Sequence, residues 1–316
     1  MSNRAQTPEF DCDEEGFAKE ITLVPRIVKL TTRTGIDIQR TLPHRHIRTI
    51  GVWCFVDHYG PTNQTDAMSV AAHPHTGLQT VSWLFSGVVE HRDSLGSIQR
   101  VMPGELNIMT SGRGIAHSEL SVDVRTHLHG IQLWTVLPDR DRNIEPSFRH
   151  HGGLPTFTWG GVGVRLFIGE FLGERSAAKV FSPLLGAEID LPADSATSIP
   201  VQASFEYGIL VVAGEITVNG HVVGLGQLHY IPTGKERLHL TSRSGAKIIL
   251  LGGEPFIEKI VMWWNFIGRT HDEILQFRQE WENQSERFPP FVDQIGGRIP
   301  APALPNLRLT PRTNPV

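Results

Sequence analysis

Short alternations of apolar and polar positions run through most of the chain. TVSWLFSGVVEH (80–91), IQLWTVLP (131–138), VRLFIGEF (164–171), YGILVVAGEITVNG (207–220) and AKIILLGG (246–253) are rich in β-branched and aromatic residues. Each is bounded by Gly, Pro or Asn. Many short strands between turn signals predict an all-β barrel or sandwich. Asn219-Gly220 after GEITV predicts a two-residue type I′ hairpin. One segment has the other period. RTHDEILQFRQEWENQ opens on Thr270 with Glu273 three residues on, a capping box, and Ile274, Phe277 and Trp281 follow at helical spacing. This predicts a helix lying against a barrel through those three residues.

The pattern also repeats. Gly87-Val-Val-Glu followed by Gly104-Glu-Leu-Asn-Ile-Met-Thr-Ser-Gly112 is echoed by Gly214-Glu-Ile-Thr followed by Gly226-Gln-Leu-His-Tyr-Ile-Pro-Thr-Gly234. Two copies of one barrel are therefore expected. The boundaries read as a polar, acidic lead-in over 1–20, a first barrel over 21–150, a second over 151–270, the helix within 271–290 and a tail over 291–316. Residues 297–316 hold five prolines and no period. The tail is expected to lie extended across a domain through Leu304 and Leu307.

Composition narrows the class. Of 316 residues, 40% are hydrophobic and 20% charged, as in a soluble globular protein, and the length suits two domains. A net charge of -4 gives no reason to expect nucleic acid or an anionic membrane as a partner. No apolar run approaches the roughly 18 residues of a membrane-spanning helix. The lead-in carries Asp11, Asp13, Glu14 and Glu15 where a secretory signal would be basic and apolar. With only two cysteines, Cys12 and Cys54, a reducing, cytoplasmic setting is expected.

The chemistry lies in two pairs. His73 and His75 stand in AAHPHTGLQTV, and His117 and Glu119 in SGRGIAHSEL, with His117 following His75 by 42 positions. Alternate residues of a strand point to one face, so two strands can aim three imidazoles and one carboxylate at a single point. That donor set suits a divalent transition metal. Histidines are numerous, 15 in all, and two further His-x-His pairs occur. His44 and His46 read as surface residues. His127 and His129 flank Leu128, and His129 reads as a core or supporting histidine. Four protein donors leave positions open on a six-coordinate ion, the mark of a catalytic site. Glu119, beside the ion, reads either as the base or as a ligand alone. His91, in EHRDSLG, reads as a pocket or hydrogen-bonding residue. Equivalent counts from the second repeat reach Pro200, Gln202, His239 and Thr241. One histidine cannot hold such an ion, so the second barrel is expected to be empty.

HPHTGLQTVSWLFSGVVEHRDSLG, MTSGRGIAHSE, HGIQLW and MWWNFIGRTHDEI together resemble the pirin family, a branch of the cupin superfamily, over about residues 25–280. The resemblance implies two cupin (double-stranded β-helix) barrels packed face to face. It implies one metal ion in the N-terminal barrel, iron ahead of Mn, Ni, Cu or Zn, and it maps the family's ligands onto His73, His75, His117 and Glu119. Two positions depart from the family pattern: Thr76 stands for an Arg, and Gln79 for a Glu. The wider cupin superfamily also takes a carboxylate ligand at the place of Gln79. By strand parity with His75, Gln79 is expected beside the site, and Val81, Trp83 and Phe85 inside the barrel. Some pirins resemble flavonol 2,4-dioxygenases, which implies ring opening of a flavonol such as quercetin by dioxygen with loss of carbon monoxide. Others act as redox-sensing partners of transcription factors or metabolic enzymes, so a protein partner is the alternative. A sugar isomerase is a third class, which apolar inward positions disfavour.

Overall fold

The computed structural model describes residues 19–29, 36–62, 68–122, 127–291, 293 and 295–314. Cys12 and nearly all of the expected lead-in lie outside that range. Among the described residues the chain forms two barrels of antiparallel strands and one α-helix, His271–Glu282. The first barrel combines a four-stranded sheet with a seven-stranded one. The four-stranded sheet holds Ser69–His75, Ile115–Ser121, Val89–Asp93 and Ile98–Val101, in that order. The seven-stranded sheet includes Trp53–Tyr59, Leu78–Ser86, Leu106–Thr110 and His129–Val136. The second half forms a ten-stranded sheet built on two 17-residue strands, Leu184–Pro200 and Arg237–Gly253, paired with each other.

The outer face of the seven-stranded sheet packs on the second barrel. Val81, Trp83, Ile131 and Leu133 join Phe167, Leu184, Leu210 and Leu251 in one buried cluster. Polar atoms trapped there find partners, as buried groups must. The Trp53 indole N–H donates to the carbonyls of Leu185 and Gly252, at 3.2 and 3.1 Å. That of Trp83 donates to Glu188 Oε2 at 2.7 Å, and its ring stacks on Phe167. The barrels touch backbone to backbone at Gly51, where an added Cβ would lie 2.6 Å from Gly253 Cα.

These contacts correct one parity argument. His75 ends one strand and Leu78 begins the next, and Gly77 turns between them at φ +68°. Strand phase does not carry across such a turn. Trp83 and Val81 therefore face the second barrel, while Ser82 faces the interior of the first, where its hydroxyl meets Glu119. Phe85 packs against the inter-barrel cluster.

Asn219 (φ 48°) and Gly220 (φ 90°) form the two-residue turn between Ile216–Val218 and His221–Val223, as the sequence requires. Thr270 caps the helix, its hydroxyl accepting from the Glu273 N–H at 3.2 Å. The reciprocal bond is displaced by one residue, since the Glu273 carboxylate accepts from the Arg269 N–H at 2.6 Å. Ile274, Phe277 and Trp281 are buried with Ala72 and Ala116. These alanines precede His73 and His117, so the helix braces the back of the sheet that carries both pairs.

The ends of the chain cross over. Ile21–Leu23, which opens the segment expected for the first barrel, pairs with Leu228–Ile231 of the second. In the tail, Arg298 pairs with Ala72, and Asn314 Oδ1 accepts from the N–H groups of Arg48 and Thr49. Leu304 packs against the helix cluster, whereas Leu307 is exposed, so only the first of the two expected tail anchors is used.

Candidate metal centre

The strands Ser69–His75 and Ile115–Ser121 pair directly, with His117 opposite His73. A register shift between His117 and Glu119 re-aims the carboxylate. On its other edge, Ile115–Ser121 pairs with Val89–Asp93, placing Glu119 opposite His91 and His117 opposite Asp93. Three adjacent strands thus bring these side chains into two overlapping groups that share His117, with Glu119 grouped with His91 and apart from His73 and His75.

Donor atoms of His73, His75 and His117 all lie within 4.8 Å of one another, and so do those of His91, His117 and Glu119. Nε2 of His75 and Nε2 of His117 are 3.1 Å apart. Two donors on one ion with bonds of about 2.0–2.1 Å, set near a right angle, stand about 3 Å apart. The ring nitrogens on the far side are tied down. His73 Nδ1 donates to the carbonyl of Ala71 at 2.9 Å, and His117 Nδ1 lies 3.3 Å from His91 Nδ1. His91 Nε2 in turn donates to Asp93 Oδ2 at 2.9 Å, and the His91 ring stacks on Phe148. With the His91 proton on Nε2, its Nδ1 accepts from His117, which turns the His117 Nε2 lone pair toward His75.

Protonation agrees with ligation. Burial holds the His73 imidazole down at about 4, against the raising effect of its bond to Ala71. Burial, then the neighbouring histidines, pushes His75 and His117 well below the ordinary range. All three are neutral near pH 7 and offer lone pairs. Burial raises the Glu119 carboxyl, against the lowering effects of His91 and the Ser82 hydroxyl, which donates to Oε1 at 3.4 Å. The three-imidazole group fits a divalent transition ion, with no thiolate and no cationic side chain in it, and the Glu119 carboxylate gathers with His91 and His117 alongside. Beside it, the Trp134 ring stands edge-on to His75 at 5.1 Å and stacks on Phe55 at 3.9 Å. Tyr59 is buried close enough to Glu119 for the carboxylate to help raise its phenol.

His91 hydrogen-bonds within the cluster, and Asp93 supports it. The signal was present: His91-Arg92-Asp93 repeats the alternate spacing of His117-Ser118-Glu119. Nothing in the sequence marked Phe55, Tyr59 or Trp134. Gln79 does not face the cluster. Its amide donates to Thr110 Oγ1 and to the carbonyl of Lys179 and accepts from Thr135. Thr76 meets the backbone of Ile267. His129 is also elsewhere, 2.8 Å from His58 through their Nε2 atoms, with Lys247 of the second barrel near enough to depress it further after burial.

In the second barrel the counted positions carry no site. His239 is exposed and paired opposite Ser198, and the interior beside it is filled by Ile199, Leu238 and Leu240. A different group, Glu20, His221 and His229, does gather there. Its carboxylate is already engaged by Lys235 at 2.8 Å, Asn219 at 3.2 Å and His229 at 2.9 Å.

Comparison with known proteins accounts for both barrels. Residues 35–135 match the Pirin family and residues 186–289 the pirin C-terminal cupin domain. A Pseudomonas aeruginosa protein named "Putative quercetin 2,3-dioxygenase" is 40% identical over 309 residues, covering 96% of this chain and 98% of its own. A "Pirin-like protein" of Caulobacter vibrioides is 34% identical, covering 81% and 91%. The crystal structure titled quercetin 2,3-dioxygenase from Acinetobacter baumannii superposes with a TM-score of 0.88 at 38% identity, over 92% of this chain and 98% of that one. No helix among the described residues is long and apolar enough to cross a membrane. With both family domains matched in order and the paired barrels in place, the chain belongs to the pirin family of bicupins.

Proposed function

We propose that the chain is a metal-dependent dioxygenase that opens a flavonol such as quercetin, with one divalent ion, iron, held by His73, His75, His117 and Glu119. One observation carries the reading: three buried, neutral imidazoles converge, with the His73 ring fixed by Ala71 and the His117 ring by the His91–Asp93 pair. The name of the 40%-identical relative supports the substrate class. The ion would supply Lewis acidity and a meeting place for the flavonol and dioxygen. The chain's own residues do the rest. Glu119, its proton affinity raised by burial, takes the proton of the flavonol 3-hydroxyl and holds it at the carboxylate. Ser82 donates to Oε1, which leaves Oε2 the freer atom for that proton. The stacked Phe55 and Trp134 rings provide a flat apolar wall beside His75, suited to a planar aromatic substrate.

The test is anaerobic purification, metal analysis, and oxygen uptake with quercetin after reconstitution. One ion per chain and flavonol-dependent uptake are expected. No uptake with iron, manganese, nickel or copper rejects the dioxygenase. A metal-containing regulator that binds a transcription factor or metabolic enzyme then takes its place.

A further inference from the structure

A cleft of about 800 Å³ opens between residues 43–49, residues 256–262 and the tail around 305–313. It is separate from the metal centre. Its floor is apolar, with Phe256, Met262 and Leu309 among the lining residues. Its rim is cationic in a chain whose net charge is -4: five arginines line it against one carboxylate, Glu258. That carboxylate is already committed, accepting from Arg269 and from the Asp139 N–H. Arg308 pairs with Asp272 at 2.8 Å.

The other four guanidinium groups make no ion pair with a carboxylate among the described residues, although Arg26 lies near enough to Asp57 to oppose the raising of its carboxyl by burial. Arg26 donates to the carbonyl of Pro43, Arg45 to His46, and Arg48 to the carbonyl of Thr313, while Arg312 contributes a further positive charge beside Arg48. The crowding is felt locally. Burial and then Arg312 lower Arg48, and burial followed by His46, Arg45 and Arg26 lowers His44. Like charges held together without counter-charge attract an anion. Arginine forks match carboxylate or phosphate oxygens in pairs. The volume and apolar floor fit an organic body.

We propose that this cleft binds an amphipathic organic anion, a carboxylate or phosphate carried on an apolar body, with the head on Arg45, Arg48 and Arg312. The tail supplies one wall of the site, since Arg48 and Thr49 hold Asn314.

The experiment is isothermal titration of the full-length, metal-loaded protein with octanoate and with octyl phosphate, using 1-octanol as the neutral control. The variant is Arg45→Ser with Arg312→Ser, both exposed positions that leave folding intact. One anion per chain is expected, weakened about tenfold or more in the double variant. Added salt should weaken it as well. The tighter of the two anions names the head group. Unchanged affinity in the double variant places the ligand elsewhere, the metal centre included, and overturns the proposal. Equal binding of 1-octanol, or no saturable heat from either anion, overturns it too.

Discussion

Glu119 has two separable duties in the proposed reaction, ligand and base. Glu119→Gln keeps the shape and a weak oxygen donor but removes the basicity. Metal should be partly retained while flavonol-dependent oxygen uptake falls by about 10²–10⁴-fold, the usual worth of a general base. Activity per bound ion that stays near wild type would leave Glu119 a ligand alone. His117→Ala should empty the site, and His239→Ala should leave metal content unchanged, because His239 is exposed beside an apolar barrel interior. Elemental analysis of the two variants checks both statements. Asp93 touches no ion, yet it fixes His91, which fixes His117. Asp93→Asn should weaken metal affinity by about 10–100-fold, read by competition with a chelator. The gathering of His73, His75 and His117 was legible because parity within a seven-residue strand needs no knowledge of its neighbours. The specific partner of His91 was not, because it depends on Val89–Asp93 lying beside Ile115–Ser121.

At the scale of elements, turns decide what local patterns can say. The Asn219-Gly220 hairpin and the helix cap were readable from a few adjacent residues. Parity failed where it was carried across a turn: Gln79, Val81 and Trp83 belong to a new strand after Gly77 and face the second barrel. The strand Ile21–Leu23 makes a further prediction. Glu20 precedes it and binds Lys235 and His229. Burial raises its carboxyl, but those bonds outweigh burial and leave it below the ordinary glutamate range. A depressed acid stabilises the fold above its unfolded value, and that contribution disappears as pH falls through the folded one. Wild type should therefore exceed Glu20→Gln in stability at neutral pH. The gap should close in acid below the glutamate range, measured by urea unfolding across pH. A gap independent of pH would exclude the ion pair as its source.

For the whole molecule, the repeat in the sequence pointed to two barrels, and the structure has them. The packing between them was not readable, because Trp53 and Trp83 look like any interior tryptophan until Leu185, Gly252 and Glu188 are placed opposite. The crossed ends have a consequence during synthesis. Thr22 bonds to His229 across 207 residues, so the Ile21–Leu23 strand must wait for its partner to leave the ribosome. At about 5–20 residues per second that delay is on the order of 10–40 s. His73, His75 and His117 emerge well within it, whereas Arg298, which pairs beside His73, arrives after both barrels have been translated. A fragment cut after residue 150 should thus keep the ligand strands but lack their bracing helix and tail, and its early strand should be cleaved quickly by added protease. The strands that carry both pairs are therefore made long before the last piece that steadies them.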